Sequence, residues 1–445
     1  MIHLRTREGR DHAEPSVSYW TDGGKVKSLR AWIKSASGRV TEVDDDQKVD
    51  AARVSYELYN EARYRRLVLP NEADAGAVVA WEGVVEIRTP ILQFSPALQD
   101  RCPVLRARVR LEMPPRWDAR ATIWNHPPVE AARDGAAYVW ELTDLSEIAD
   151  EPSGIPIEAQ VPQIGISVAP QGSSHLPPMH RWEDVSRWNA GLADPQAAIT
   201  PGLEAKALAL TGGLASTGEK VHAIARFVQG VNYISIGVNL GSGGGVTPHA
   251  ASDVLAHNYG DCKDKANLMK ALLRAIGVES YLVAISAVDP TYVNRDWPSP
   301  LQFDHCIIGV SLGGDGDSCV ADVPGYGPIA IFDPTDPSTP WGALPAAEQG
   351  AFALLISAKG GVLFRTPESG PFQNHAERIV QAQLSPNGSL IGLMRERSSG
   401  ILGSAQRGAS LFLARDDFRR KVQDRIAGGM GGMNVTSLET DEDST

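Results

Sequence analysis

The pattern of apolar and polar positions in the first part of the chain is that of a β-rich region. Across Val104–Met113, apolar residues from Leu105 to Met113 alternate with Arg106, Arg108 and Arg110, the period of two of a half-buried strand. The apolar row is expected to face a core, and the arginine row is interpreted as a solvated face rather than a phosphate site. Further strand candidates, separated by turn residues, are Leu29–Lys34, Val54–Tyr59, Val78–Ile87, Thr122–Trp124 and Tyr138–Leu142. Many short strands with regular turns predict an antiparallel β-sandwich-like domain.

From about residue 180 the apolar period changes to that of amphipathic helices. Ser216–Glu219 has the form of a capping box, and the apolar stripe that follows it consists of Val221, Ile224, Ala225 and Val228. A second stripe follows Cys262, ends before Gly277 at the place of a left-handed cap, and consists of Leu268, Met269, Leu272, Leu273 and Ile276. Shorter helices are predicted over Trp182–Leu192, Leu203–Leu210 and Ser252–His257, with a strand over Val231–Ile236.

After Gly277 the pattern returns to that of strands. The predicted strands are Ser280–Ser286, Asp304–Val310, Ile329–Asp333, Ala351–Ser357 and Gly361–Phe364. Helices followed by strands predict an α+β core. Ala376–Met394 begins another β segment, and Asp416 is the predicted cap of a helix that runs to Ile426.

The length of the chain, 445 residues, predicts about two to four domains. The Pro- and Gly-rich segment Glu151–Pro178 marks a boundary. We therefore predict a β-rich N-terminal domain at residues 1–175, a cysteine-containing core at residues 176–372 and a partial β/α segment at residues 373–445. The loop Gly241–Gly245 lacks the Gly-Lys-Ser/Thr of a phosphate loop and is interpreted as a mobile loop near the site.

Composition narrows the class of protein. Apolar residues make up 42% of the chain, charged residues 22%, and the net charge is −12, which argues against a general nucleic-acid binder. The sequence contains no apolar run long enough for a membrane span, and Met1–Glu8 lacks the apolar core of a signal peptide. We leave the compartment open: periplasmic or secreted if an upstream signal was removed, otherwise cytoplasmic. Four scattered cysteines exclude a disulfide framework.

The segment Tyr259–Lys265 combines a cysteine with the start of a helix. Gly260 and Asp261 let the chain turn into the helix, so Cys262 falls in or just before the first turn. There the unpaired backbone N–H groups and the helix dipole favour a thiolate, which is the nucleophilic form of cysteine. The alternative is a small residue buried under a helix, since free cysteine is among the most buried types.

Cys262, His305 and Asp333 together fit acyl-transfer chemistry. An imidazole takes the thiol proton and returns it to the leaving group, while a carboxylate orients the imidazole and stabilises its charge. Taken singly, His305 is equally a core histidine, and Asp333 a turn former before Pro334. A metal site built from Cys262, His305 and Cys306 is a further alternative, which is weakened because neighbouring side chains on a strand point to opposite faces.

Three motifs of the chain resemble those of bacterial transglutaminase-like proteins, which share the papain-like cysteine fold. The motifs are Tyr259–Ala266, Asp304-His305 and Phe332–Asp336. The following segments, Trp341–Pro345 and Gly350–Ile356, are similar to those of a subgroup with an N-terminal domain of the DUF3857 type. The resemblance covers roughly residues 15 to 365. It implies a papain-like/transglutaminase-like core, with Cys262 as nucleophile, His305 as general base and acid, and Asp333 as the orienting carboxylate.

The resulting hypothesis is cysteine-dependent acyl transfer from a peptide or glutamine-type amide through a thioester. Water is the default acceptor, and transamidation to an amine would need a second cleft. Tyr259 and the backbone N–H of Cys262 are candidate oxyanion donors. The alternative function is a catalytically silent scaffold that binds a protein or glycan partner. We expect no cofactor and no metal. The short acidic segment Asp315–Asp317 is interpreted as a hairpin turn and not as a metal-binding loop. The exact substrate and the oligomeric state are not predicted.

Overall fold

The structure is a computed structural model of the 445-residue chain. It describes residues 1–53, 59–152, 154–172, 179–237, 245–312, 319–429 and 434–439. Several predicted features lie wholly or mostly outside these residues: the strand Val54–Tyr59, the end of the segment Glu151–Pro178, the glycine loop Gly241–Gly245 and the turn Asp315–Asp317.

Residues 1–87 form two small antiparallel sheets that share one apolar core. The strands of this part of the chain are β1 (Ile2–His3), β2 (Ser16–Trp20), β3 (Gly24–Lys34), β4 (Val40–Glu42), β5 (Lys48–Ala52), β6 (Tyr59–Asn60), β7 (Ala62–Leu67) and β8 (Val78–Ile87), of which β6 lies outside both sheets. One sheet has the order β1-β8-β3-β4 and the other β2-β7-β5. Alternate residues of β3, among them Leu29, Ala31 and Ile33, are buried against Leu67 and Val79, as a half-buried strand requires.

A second pair of sheets covers residues 93–170. Its strands are β9 (Gln93–Phe94), β10 (Val104–Leu111), β11 (Trp117–Trp124), β12 (Ala132–Asp134), β13 (Ala137–Leu145) and β14 (Gln163–Pro170). The sheets β10-β13-β12 and β11-β14-β9 enclose a core around Trp140, Leu142, Ile164 and Ile166. The predicted antiparallel, β-rich N-terminal region is thus confirmed.

One detail of the predicted strand Val104–Met113 is wrong. Leu105 is 83% exposed instead of facing the core, whereas Val104 packs against the core. The cross-strand pairs run from Val104–Leu145 to Arg106–Thr143. Between those partners, Asp144 has a φ of +57°, so β13 is not regularly extended there and the alternation begins only after Leu105.

The mixed α/β core follows, with its helices first. They are α1 (Trp182–Ala193), α2 (Pro201–Thr211), α3 (Thr217–Gln229), α4 (Ala251–His257) and α5 (Cys262–Ala275), with the short strands β15 (Asn232–Tyr233), β16 (Ile236–Gly237) and β17 (Tyr259–Gly260) between them. The predicted capping box at α3 is present, because Ser216 Oγ accepts from Glu219 N and the Glu219 carboxylate accepts from Ser216 N. Gly277, just past α5, has the positive φ of +76° expected of a left-handed cap.

An antiparallel six-stranded sheet completes the core. Its strands are β18 (Ser280–Ile285), β19 (His305–Val310), β20 (Val320–Val323), β21 (Gly327–Phe332), β22 (Phe352–Ile356) and β23 (Leu363–Arg365), in the order β20-β21-β19-β18-β22-β23. Leu268 and Leu272 of α5 share an apolar cluster with Ile308, Val310 and Phe332 of the sheet. Helix α5 therefore lies mainly on β18 and β19, the strand that begins with His305, and shares this cluster with Phe332, the residue before Asp333.

A buried serine attaches α1 to strand β22 and to the segment that follows it. Ser186 Oγ donates to Leu355 O at 2.9 Å and accepts from the backbone N–H groups of Ser357, at 2.9 Å, and Gly361, at 2.8 Å. One hydroxyl thus satisfies three backbone groups that would otherwise be buried without partners.

The C-terminal part contains the elements β24 (Ala376–Leu384), β25 (Leu390–Ser398), α6 (Gly400–Phe412) and α7 (Arg415–Gly429). The single predicted β segment is a hairpin, since Gly388 with a φ of +84° lets the chain reverse between its two strands. Helix α6 was not predicted, because its glycines hide the apolar period. No described helix is both long and apolar enough to cross a membrane.

The N-terminal region contacts the core at two places that flank the candidate site. Strand β6 pairs in parallel with β16, three residues after Tyr233. The indole of Trp297, in the loop that leads to His305, lies so close over Gly165 that a Cβ there would come within 2.2 Å of the ring. Trp297 Nε1 also donates to Ser167 Oγ at 3.2 Å, and Gln93 Nε2 donates to Pro298 O at 2.8 Å.

Candidate active site

Cys262 is the first residue of α5, as predicted. Asp261 is the N-cap: its Oδ1 accepts from Asp264 N at 3.3 Å, and Asp264 Oδ2 accepts from Asp261 N at 3.2 Å. This reciprocal capping box does not use the backbone N–H of Cys262. Only glycine fits at position 260, because a Cβ added there would lie 2.6 Å from the Cβ of Asp264. The local sequence thus fixes the sulfur at the positive end of the helix dipole.

His305 and Asp333 meet at the ends of neighbouring strands. His305 Nε2 lies 3.2 Å from Asp333 Oδ2; the Asp333 side chain is buried, and that of His305 is 13% exposed. Thr335 holds the carboxylate from the other side: its N–H donates to Oδ1 at 2.7 Å and its hydroxyl to Oδ2 at 2.9 Å. The carboxylate is therefore fixed before it orients the imidazole.

Cys262 lies close enough to His305 to be one of the groups that act on the pKa of the imidazole. Burial lowers the pKa of His305, but the hydrogen bonds and negative charges of Asp333 and Cys262 outweigh that effect and raise it to about 11. Burial raises the pKa of Asp333, but its hydrogen bond with the imidazole outweighs this and lowers it overall. The arrangement favours an imidazolium beside the Asp333 carboxylate at neutral pH. Because Asp333 engages Nε2, the other ring nitrogen, Nδ1, is the one available to the sulfur.

The two tyrosines near the cysteine have different surroundings. The ring of Tyr259 lies beside His257, with centroids 5.9 Å apart, and its backbone pairs with Asn232. Tyr233 is the tyrosine whose hydroxyl lies beside the Cys262 sulfur, and burial together with the charge of Cys262 raises the pKa of that hydroxyl. The sequence analysis missed Tyr233, although it placed the residue in a short strand just upstream.

A buried lysine lies one turn into α5. Lys265 Nζ donates to Val231 O at 2.7 Å and to Gln229 O at 3.2 Å. Burial lowers the pKa of Lys265 to about 8, and the charge of Asp333 opposes this shift. Its ammonium thus joins the cysteine helix to the segment that leads into Tyr233.

A second buried carboxyl completes the site and was also missed. Glu348 Oε1 lies 3.7 Å from His305 Nε2, and the side chain is 3% exposed. Burial and the adjacent charge of Asp333 raise the pKa of Glu348 to about 9, so this carboxyl is neutral at pH 7. The motif Leu344–Gly350 gives no signal of this, because one Glu in a polar turn is typical of a surface loop.

The remaining cysteines lie in different surroundings. Burial raises the pKa of Cys306 well above its usual value, and that of Cys102, which Asp100 raises further. Cys306 packs against an apolar cluster on the face of β19 opposite to that of its neighbour His305. Among the described residues, the two compact groups of His, Cys and acidic side chains are His12–Asp100–Cys102 and His305–Asp333–Glu348. Neither is the alternative metal set Cys262–His305–Cys306.

Comparison with known families agrees with this architecture. Residues 1–149 match DUF3857, a domain of unknown function with a solved structure, and residues 204–309 match the transglutaminase-like superfamily. The second match includes Cys262 and His305 but ends before Asp333. The predicted resemblance is thus confirmed: the chain carries a DUF3857-type N-terminal region and a transglutaminase-like core. A search of curated proteins finds none that matches.

Two solved structures are similar to the chain. A crystal structure described as a "putative protease" from Parabacteroides distasonis ATCC 8503 is 15% identical, with a TM-score of 0.59, over 86% of this chain and 73% of that one. One described as a "putative cysteine protease" from Cytophaga hutchinsonii is 16% identical, with a TM-score of 0.24, over 69% of this chain and 90% of that one. The first supports the fold of the whole assembly of β-rich region and core.

Proposed function

We propose that the protein is a cysteine-dependent hydrolase of peptide-type amides, with Cys262 as nucleophile, His305 as general acid and base, and Asp333 as the orienting carboxylate. The observation that carries this proposal is the contact of 3.2 Å between the His305 imidazole and the Asp333 carboxylate, next to a cysteine at the start of a helix. The transglutaminase-like match and the description of the Parabacteroides neighbour as a protease favour peptide bonds as substrates.

In the first step, the Cys262 thiolate attacks the amide carbonyl carbon and the imidazolium of His305 donates its proton to the departing amine. The charge of Cys262 is one cause of the high pKa of His305, so forming the thioester removes that support and makes the imidazolium a stronger acid. The imidazolium of His305 thus becomes a better proton donor at the step in which the amine departs. The neutral imidazole then takes a proton from water, which hydrolyses the thioester and restores the thiolate.

The start of α5 supplies stabilisation for the tetrahedral intermediate. The backbone N–H of Cys262 lies outside the capping box, and the Tyr233 hydroxyl already reaches the sulfur. These two donors suit an oxyanion that forms beside the sulfur.

The test is turnover of a fluorogenic peptide library by the wild-type protein, by Cys262→Ala and by the matched control Cys102→Ala. We expect Cys262→Ala to lose turnover while its thermal unfolding is unchanged, and Cys102→Ala to keep both. Turnover by folded Cys262→Ala would refute the proposal.

Selective alkylation provides a test without a substrate. Iodoacetamide near pH 7 should modify Cys262 well before Cys102 or Cys306, whose thiols burial keeps protonated. Equal labelling of all three would favour the scaffold alternative. Addition of a primary amine such as cadaverine separates the acceptors: an amine adduct of the peptide indicates transamidation, and free acid alone indicates hydrolysis.

A further inference from the structure

Glu348 is a buried ionisable group beside His305 that the reaction above does not use. It stands at the end of the single turn Ala346–Glu348, and its backbone carbonyl accepts from Thr366 Oγ1 at 2.6 Å. Gln349, the next residue, donates from Nε2 to Leu344 O at 2.8 Å. The turn is therefore anchored on both sides, and the carboxyl is held in place next to His305 and Asp333.

The groups around Glu348 determine the protonation state of its carboxyl. The charged and titratable groups that face Glu348 are Asp333, His305 and Asp336, and only His305 is a cation. Two adjacent buried carboxyls do not both ionise, because like charges repel strongly where water is excluded. Asp333 takes the charge, since it accepts hydrogen bonds from His305 and Thr335, whereas no donor of the described residues reaches Glu348 Oε2. Glu348 therefore keeps its proton, and one of its carboxyl oxygens lies within 4.8 Å of an oxygen of Asp333.

We propose that Glu348 is a positioning residue that acts through Asp333: its neutral carboxyl donates a hydrogen bond to the carboxylate and so limits the negative charge that His305 experiences. This inference rests on the proposed acyl transfer. An ionised Glu348 would add a second anion 3.7 Å from Nε2, and the imidazolium would hold its proton too tightly to protonate a departing amine.

The proposal predicts different behaviour for two substitutions. Glu348→Gln keeps the size of the side chain and a hydrogen-bond donor but never ionises, whereas Glu348→Leu removes the donor. At pH 7 we expect kcat of Glu348→Gln within about threefold of wild type and kcat of Glu348→Leu about tenfold lower, with KM unchanged in both. Tenfold is roughly the effect of one lost hydrogen bond to a charged group.

The pH profile is the readout that a merely structural role would not move. Since the pKa of Glu348 is about 9, wild-type kcat should fall in a step near pH 9 as the second anion forms. Glu348→Gln should lack this step. A profile of Glu348→Gln that retains it, or a Glu348→Leu protein with wild-type kcat, would overturn the proposal. If Glu348→Leu does not fold, the profile of Glu348→Gln decides alone.

A measurement without substrate separates this inference from the proposed function. The rate of Cys262 alkylation by iodoacetamide reports the thiolate–imidazolium pair directly, whether or not the peptide library is cleaved. We expect a change in its pH dependence near pH 9 in wild type and none in Glu348→Gln. Identical alkylation profiles refute the role of Glu348, whereas absence of peptide turnover with different profiles refutes only the proposed hydrolysis.

Discussion

Replacing Asp333 with asparagine tests the central contact of the site. Asp333 Oδ2 receives hydrogen bonds from His305 at 3.2 Å and from Thr335 Oγ1 at 2.9 Å, while Oδ1 receives one from Thr335 N at 2.7 Å. All three partners donate, and a carboxylate accepts from each. An asparagine offers one acceptor oxygen and one NH2 group, so in either orientation its amide faces a donor.

The orientation that keeps Thr335 N satisfied turns the NH2 group toward His305. The imidazole then has to present Nε2 as an acceptor, which places its proton on Nδ1, facing the sulfur. In this tautomer the ring cannot take the thiol proton.

The magnitude follows from two effects. Loss of a hydrogen bond to a charged group costs about 1.5–3 kcal/mol, or roughly 10- to 150-fold in rate. The wrong tautomer adds to this, so we expect kcat to fall by about 10²–10⁴-fold with little change in KM.

The assay combines peptide turnover with the pH dependence of Cys262 alkylation, and Asp304→Asn is the control. Asp304 precedes His305 but accepts from Ala287 N, outside the network, so its substitution should leave both measurements unchanged. If folded Asp333→Asn keeps the wild-type alkylation profile, the reasoning about the imidazole is wrong.

Three further predictions concern the surroundings of the site. Tyr233→Phe should lower kcat about tenfold, as expected for one lost hydrogen bond, and Tyr259→Phe should leave it unchanged; equal effects in steady-state turnover would contradict the different surroundings of the two tyrosines. Lys265 has a folded pKa of about 8, below its usual 10.5, so the unfolded chain binds more protons in that range and this group makes the unfolding free energy rise from pH 8 to 10.5. Urea titrations of Lys265→Met should lack that rise relative to wild type, and parallel curves would refute the assigned shift. Ser186→Ala should lower the unfolding free energy by about 2–4 kcal/mol, because two buried N–H groups lose their acceptor. Half-buried Ser252, whose hydroxyl donates a long hydrogen bond of 3.5 Å to Asp253 Oδ1, is the control, and Ser252→Ala should change the unfolding free energy little.

Much of the architecture was predictable because periodicity reports burial. The stripe after Cys262 predicted α5, and the capping box at Ser216 predicted the start of α3. The predicted strands of the core sheet, such as Asp304–Val310, agree with the structure to within one or two residues at their ends. Local pattern was sufficient wherever a helix or strand buries one face.

The surroundings of the site were less accessible, because they depend on contacts between distant segments. Glu348 lies 43 residues from His305, and its local sequence resembles a solvated turn. Tyr233 and Tyr259 are both aromatic residues beside short strands, and only the parallel pairing of Asn232 and Tyr233 with Tyr259 and Gly260 determines which hydroxyl reaches the sulfur. Exposure of Leu105 depends on a positive φ in the partner strand.

The two attachments of the N-terminal region have a practical meaning for engineering. One of them, β6 on β16, reaches the segment that continues from Tyr233, and the other, Trp297 over Gly165, holds the loop that ends at His305. Exchanging this region for that of another protein therefore changes the support of both the segment after Tyr233 and the loop before His305. A chimera has to preserve the parallel pairing of β6 with β16 and a glycine under the indole of Trp297. The first property to measure in such a chimera is the reactivity of Cys262.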